Sequence, residues 1–426
     1  MHLPLEGSVR VRVVVAAAIA VSAIAGLSVA APLGPFDSGS AAHASVVVTP
    51  TGGFEDQVPR LLSSIEMVPP AELPAYVSKR GSEIATTLVG PKAAEQVGGW
   101  WTALSSNERA MLEHRAPQFL GNLEGIPFEI RGSANRTLLQ QKVDDLQSKI
   151  RAAGRQVSES LKTQFAALKG IQAALHSSPG APKRTLTTFD SGGSMRAAIA
   201  IGDIDHADDV SILVPGMFYT VAGQLADWAD TAQTLYATQR SWLKRLGEQD
   251  KSVAAIAWLG YQTPDLTSVL SLTDARAGAS LLTDAIAGIR ASRGANQPYL
   301  SVLAHSYGST AAFMALQHGT VKVDALAVVG SPGSIATSVR QLDVSAGRVY
   351  VGAALFDPIA GTGYFGTNPS SNSYGAHPLG VTGGIDPIDG QPMLPALGHN
   401  GYFTPGSESM RNLALMALGD CSLITG

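Results

Sequence analysis

Two regimes of hydrophobic patterning divide the chain. Between residues 75 and 178 apolar positions recur at steps of three and four, the period of an amphipathic helix. From Asn135 the stripe Leu139, Val143, Leu146, Ile150, Val157, Leu161, Phe165, Leu168 and Leu175 predicts one long helix, or a helical hairpin broken near Gly154 or Gly170. The stripe reads as a core-facing surface; its alternative is a cap over a cleft. Earlier, Trp100 and Trp101 open a helical stretch, and Ser105 or Ser106 would cap a helix that turns Met111, Leu112 and Phe119 inward. The run Gly121-Asn122-Leu123-Glu124-Gly125-Ile126-Pro127 is a turn-rich loop. No repeat at solenoid periods is present.

Past residue 179 the pattern changes. Short continuous apolar runs predict strands at 185–189 and 197–201, an antiparallel opening pair, and then at 210–214, 253–258, 299–303, 324–329 and 348–353. Helical stretches separate them at about 222–246, 275–291, 311–316 and 408–418. Continuous apolar strands alternating with helices imply a mostly parallel sheet covered on both faces. The expected divisions are 1–44, a signal peptide or N-terminal anchor; 45–74, a linker or arm; 75–178, a helical region; and 179–426, an α/β domain.

One junction in this pattern carries chemistry. Between the apolar run 299–303 and the helical stretch 311–316 sits Ala304-His305-Ser306-Tyr307-Gly308. A serine flanked at two residues on either side by small residues, in a sharp strand-to-helix turn, is a nucleophile elbow. The turn packs tightly and forces strained backbone angles on the serine. A second match, Ser371-Asn372-Ser373-Tyr374-Gly375, has no apolar strand before it and Pro378 after it. With the antiparallel opening strands, the elbow narrows the fold to the α/β-hydrolase plan, preceded by a helical N-terminal region.

A serine hydroxyl needs a base, and the base needs a carboxylate to hold its tautomer. In this plan the chain order is Ser, acid, His. His399, in Leu397-Gly398-His399-Asn400-Gly401-Tyr402 just before the last helix, is the expected base, with His377 as alternative; His318 ends the elbow helix and cannot turn back. Asp357 follows the 348–353 strand at the rim where the catalytic loops gather. Asp343 precedes that strand, at the wrong end; Asp386 and Asp389 are the fallback acids. For the oxyanion, the N–H of Tyr307 is one expected donor and that of Met217, in Val214-Pro215-Gly216-Met217-Phe218, the other, with Phe218 the runner-up. Phe218, Trp258, Tyr261 and His305 are candidate pocket residues.

Composition removes other classes. A net charge of −4 offers no electrostatic footprint for nucleic acid. No phosphate-cradling glycine loop follows the first strand, so no nucleotide cofactor is expected. No metal is expected either: His206, in Asp205-His206-Ala207-Asp208-Asp209, has no second histidine at ligand spacing and reads as part of a solvated turn. The single cysteine, Cys421, rules out an internal disulfide. Residues 1–44 carry a basic start, Arg10 and Arg12, and an uncharged apolar run over 13–31. Small-x-small sites follow at Ser28-Val29-Ala30 and Ala42-His43-Ala44. No Lys or Arg appears again until Arg60, so cleavage is favoured over a retained anchor. Either outcome puts the folded body outside the cytoplasm, secreted or at the cell envelope.

Taken together, several segments resemble a family of actinobacterial exported α/β-hydrolases long catalogued as a domain of unknown function. They are the Trp100–Arg136 region with its Gly121–Pro127 loop, the Asp203–Met217 stretch, Trp258-Leu259-Gly260-Tyr261, Ala304–Ser309, Gly330-Ser331-Pro332-Gly333 and His399–Tyr402. The resemblance implies a helical part joined to a hydrolase domain, with a triad on Ser306, Asp357 and His399. Ala304 departs from the glycine that relatives often carry. The expected function is that of an exported serine hydrolase on carboxylic esters, esterase- or lipase-like, acting on a small-molecule or lipid ester. Membrane or envelope association would run through the N-terminus. An acyltransferase or peptidase on the same triad, or a catalytically silent envelope binding protein, are the alternatives.

Overall fold

The computed structural model describes residues 56–426 other than position 318. The expected leader at 1–44, the first part of the 45–74 arm and His318 lie outside these residues. The N-terminal part is built from α1 (Gln57–Glu66), α2 (Leu73–Lys79), α3 (Gly81–Thr87), α4 (Pro91–Ala103), α5 (Ser106–Arg115), α6 (Pro117–Leu120), α7 (Phe128–Ala153) and α8 (Glu159–Ala174). The α/β part follows with β1 (Arg184–Asp190), β2 (Arg196–Gly202), β3 (Asp209–Val214), α9 (Leu225–Leu246), β4 (Val253–Leu259), α10 (Thr273–Arg293), β5 (Tyr299–His305), α11 (Tyr307–Ala315), β6 (Ala325–Val329), β7 (Val349–Gly352), β8 (His377–Pro378), β9 (Gly384–Ile385), β10 (Pro392–Met393) and α12 (Glu408–Ala417).

Eight strands form one sheet in the order β1-β2-β4-β3-β5-β6-β7-β8. β1, β2 and β4 pair antiparallel, and every pair from β4 through β3 to β8 is parallel. Alternate residues of the same strands supply two cores. Ile199, Leu213, Ala257 and Leu303 face α9 and α12, whereas Ile212, Ile256, Trp258 and Val302 face α10 and α11. This is the doubly covered, mostly parallel sheet of the α/β-hydrolase fold, as the run pattern predicts. No helix among the described residues is long and apolar enough to cross a membrane.

Three details of the helical part differ from, or refine, the sequence pattern. Residues 57–66 belong to α1, not to a loose arm. Val58, Leu61, Leu62 and Ile65 are buried in a third core with Leu73, Val97, Trp101 and Phe119. The Gly/Pro/Ser content around this stretch masks its helical spacing, and Pro59 is tolerated in a first turn. The long stripe is a hairpin, broken at Gly154, whose φ of 54° lets the chain leave α7; Gly170 lies inside α8. Ser105 is the cap of α5, in a reciprocal capping box with Glu108.

The helical part docks on the antiparallel end of the sheet. Asn122, in the turn-rich loop, faces the open edge of β1. Its Nδ2 donates to Phe189 O at 2.7 Å and its Oδ1 accepts from Phe189 N at 2.9 Å. Asn135, fully buried on α7, donates from Nδ2 to Gly121 O at 2.7 Å and to Leu186 O at 3.0 Å. Glu124 forms a buried pair with Arg131. Asp205 accepts from Phe128 N and Glu129 N, both at 2.8 Å, and so closes the start of α7. The segment read as a solvated turn is therefore partly structural: besides Asp205, Asp208 Oδ2 accepts from Ser252 N at 2.8 Å, and Asp209 is buried at the start of β3. Asn122→Ala should cost about 1–3 kcal/mol, because it leaves buried backbone groups of Phe189 unpaired; denaturant unfolding monitored by circular dichroism measures it.

Candidate active site

Strand β5 ends at His305 and α11 begins at Tyr307, so Ser306 alone makes the turn. Its backbone has φ 54° and ψ −130°, a conformation that costs a non-glycine residue free energy. The surroundings hold it there. Ser306 N donates to Val329 O at 2.9 Å, and Ser309 Oγ donates to Ser306 O at 2.6 Å. Ala304 and Gly308 flank it, both buried. The helix extends earlier than the apolar run suggests, because the small polar residues of its first turn carry no hydrophobic period.

Three side chains from three loops converge. His399 Nε2 lies 2.7 Å from Ser306 Oγ, and His399 Nδ1 lies 2.9 Å from Asp357 Oδ1. A carboxylate only accepts, so Nδ1 carries the proton and Nε2 is left to accept from the serine hydroxyl. Asp357 has a fully buried side chain. Burial alone would raise its pKa, but the hydrogen bonds from His399, Tyr402 and Ile359 N outweigh that and hold it at about 2. Tyr402 donates to Asp357 Oδ2 at 2.6 Å and accepts from Ala354 N at 2.8 Å. Ile359 N donates to Asp357 Oδ1 at 2.8 Å.

The other candidates are placed elsewhere. Asp386 is locked to buried Arg411 at 2.7 Å, and Asp389 pairs with Arg245 at 2.5 Å. Asp343 accepts from Gly319 N. His377 stacks beside Tyr350, with ring centroids 5.3 Å apart. His206 pairs with Asp203 at 2.8 Å on the surface. No helix follows the second serine match.

The loop at 214–218, the expected source of an oxyanion donor, packs onto Ser306. A Cβ on Gly216 would come within 2.7 Å of Ser306 Cβ, so the backbone approach there requires glycine. Among the described residues the Met217 N–H has no hydrogen-bond partner, whereas Phe218 N donates to Pro264 O at 3.0 Å. Phe218, the runner-up donor, is thus already engaged. Tyr307 is the first residue of α11, where N–H groups lack intrahelical acceptors. Tyr261 OH donates to Pro215 O at 2.7 Å, and its ring stacks on Trp258 at 5.7 Å. Both rings are buried, and Tyr261 supports this loop from within. Trp258 also borders a cavity of about 420 Å³ shared with Phe119 and Leu123 of the helical part, whose lining includes none of the three converging residues.

Tyr402 and Gly330 have roles that the sequence pattern leaves unassigned, and His305, expected as a pocket residue, is buried against the His399 loop. His305 Nε2 donates to His399 O at 2.7 Å, and burial followed by the neighbouring His399 pushes its pKa down to about 3. It therefore holds the His399 loop without competing for a charge. Tyr402 lies three residues after His399, and the short turn at Gly401–Phe403 brings it back onto Asp357; that spacing is its only signal. Gly330, at φ 63°, leaves room for the cluster: a Cβ there would sit 3.0 Å from Asp357 Oδ2 and 3.1 Å from His399 Cε1.

Fold and site together define a class. The chain belongs to the alpha/beta hydrolase family, whose sequence profile matches residues 190–367. That stretch includes Ser306 and Asp357. An uncharacterized protein of Mycobacterium bovis is 30% identical over 230 residues, covering 53% of this chain and 86% of that protein. An uncharacterized protein of Mycobacterium tuberculosis is 29% identical over 378 residues, covering 76% of this chain and 56% of the relative. The chain thus spans about half the length of that longer relative. Among solved structures, a dienelactone hydrolase from Anabaena variabilis matches with 11% identity and a TM-score of 0.34, covering 57% of this chain and 99% of its own. A thermostable esterase from Pseudomonas putida matches with 13% identity and a TM-score of 0.34, covering 67% and 98%.

Tyr402→Phe should destabilise the fold by roughly 1–3 kcal/mol near neutral pH, since it removes a donor to a buried carboxylate. Asp357 has a depressed pKa, so the stability it adds is present above its ordinary value of 3.8 and is lost as pH falls toward about 2. The difference between wild type and Tyr402→Phe should therefore shrink across that acid window, as measured by urea unfolding at stepped pH.

Proposed function

We propose that this chain is a serine hydrolase that cleaves carboxylic esters through an acyl-enzyme on Ser306. The observation that carries the reading is the 2.7 Å contact between His399 Nε2 and Ser306 Oγ, with Asp357 behind the imidazole at 2.9 Å. Ser306 Oγ attacks the ester carbonyl carbon while His399 Nε2 takes its proton. The carbonyl electron pair moves to oxygen, which the Met217 and Tyr307 N–H groups receive. As the tetrahedral species collapses, His399 returns the proton to the departing alcohol oxygen and the acyl group stays on Ser306. Water then attacks the acyl carbon with His399 again as base. The free acid leaves and the serine regains its proton. Asp357 remains ionised throughout and offsets the charge on the imidazolium.

This reading places the folded body outside the cytoplasm, supported by Arg10, Arg12 and the uncharged apolar run over 13–31.

A fluorophosphonate probe should label the wild-type protein and leave Ser306→Ala unlabelled. Hydrolysis of p-nitrophenyl butyrate should fall on the order of 10⁴-fold in Ser306→Ala. Folded wild type that takes no label and turns over no ester would sink the reading. Gly330→Ala keeps all three side chains but crowds them, and should lower kcat by about tenfold or more in the same assay.

A further inference from the structure

The large apolar side chains left exposed among the described residues are not scattered. Half of the twelve, Phe218, Leu266, Leu270, Leu355, Phe356 and Leu397, lie in the loops that surround Ser306 and His399. Single exposed hydrophobics are ordinary on a protein surface, but concentration around one site is not.

Four of the loops around the site carry such a residue. Phe218 sits in the Gly216 loop. Leu266 and Leu270 sit in the loop after β4, which meets the first through Phe218 N to Pro264 O at 3.0 Å and reaches the elbow through Tyr307 OH to Ser271 O at 2.5 Å. Leu355 and Phe356 immediately precede Asp357, and Leu397 precedes His399 by two residues. Leu355 and Leu397 are bridged strand-fashion, with Gly398 N donating to Leu355 O at 2.9 Å. These side chains therefore ring the cluster through backbone contacts that also set its geometry. Phe356 is 80% exposed and Leu355 60%. Phe356 also has φ 61°, a left-handed backbone that a bulky residue rarely adopts. Strain and exposure together give the folded chain nothing in return.

Charge selects the partner. The loops at 215–224, 260–272, 330–338, 353–376 and 394–407 contain no Lys or Arg, in a chain that has 30 of them. Their only carboxylates are Asp265 and the buried Asp357. These loops themselves have nothing to pair with an acidic peptide, a nucleic acid or an anionic headgroup; the exposed Arg276 and Arg340 lie just outside them. The apolar side chains of the loops suit an apolar phase met without electrostatic help.

We propose that these loops are a docking collar for a net-neutral lipid surface, from which the Ser306 site takes its ester. This rests on the serine-hydrolase reading above and narrows its substrate class to esters presented in lipid assemblies.

The test uses the full chain carrying Ser306→Ala, so that nothing is turned over. It is mixed with vesicles of dioleoylphosphatidylcholine and followed by flotation and by hydrogen–deuterium exchange. Backbone amides of 353–360 and 394–400 should gain protection when vesicles are added, a readout indifferent to any anchoring by residues 13–31. Adding Phe356→Asp and Leu270→Asp should lower the vesicle partition coefficient about tenfold or more. Binding should be unchanged between about 0.1 M and about 1 M salt, because no charge pairing drives it. Absence of loop protection, or equal flotation with and without the aspartates, overturns the proposal. So does a dimer in vesicle-free sedimentation that the aspartates dissociate, which would assign the collar to a second copy of the chain. Fluorophosphonate labelling of wild type without vesicles is scored separately. Labelling with no docking leaves the hydrolase reading standing alone. Docking with no labelling removes that reading and leaves the collar.

Discussion

The left-handed backbone at Ser306 is the constraint on which the site depends. A serine at φ 54° is held only by what packs around it. Behind it β5 pairs on both sides with parallel strands, so the turn begins from a rigid base. Ahead of it α11 is buried over its whole length. Above it Gly216 leaves no space for the turn to relax. The strain thus falls on the one residue whose hydroxyl must stand clear of the sheet. Among the described residues, three of the four non-glycine residues with positive φ, Phe218, Ser306 and Phe356, belong to the loops around the site.

Electrostatic arrangement follows from the same packing. Two histidines lie with ring centroids 4.8 Å apart, yet their environments differ. His305 is buried and spends its one N–H on the His399 carbonyl, so it stays uncharged. His399 faces the serine and has a carboxylate behind it. Asp357 is kept ionised by three neighbours, of which Tyr402 is the least exchangeable, because its hydroxyl also satisfies Ala354 N. A buried carboxylate with this many donors can face a forming imidazolium without itself taking a proton.

Much of this was legible in the residue order, for reasons that can be named. Parallel strands buried on both faces appear as unbroken apolar runs, which is why β3 to β6 stand out. Ser306, Asp357 and His399 follow from strand ends and chain order. What stayed hidden lacks a local period. α1 is masked by flanking Pro, Gly and Ser, and β8 to β10 are two-residue pairings with no pattern to detect. The N-terminal turn of α11 is too small and polar to register as helix. Tyr402 and Gly330 act through space on a cluster that no single stretch of sequence contains. Tyr261 has the composition of a pocket wall but is stacked in the interior on Trp258, which borders a cavity away from the three converging residues.

The amide of Asn122 has a further consequence. By matching the donor and acceptor of Phe189, it occupies the place on β1 that a ninth strand would take. The opposite border is closed differently: β8 is only two residues long and ends in Pro378, which has no N–H to offer. The helical half is therefore a seal as much as a neighbour. An α/β half cut free at residue 179 would present an unsatisfied strand border to its own copies, and self-association there would begin before Ser306, His399 and Asp357 lost their contacts.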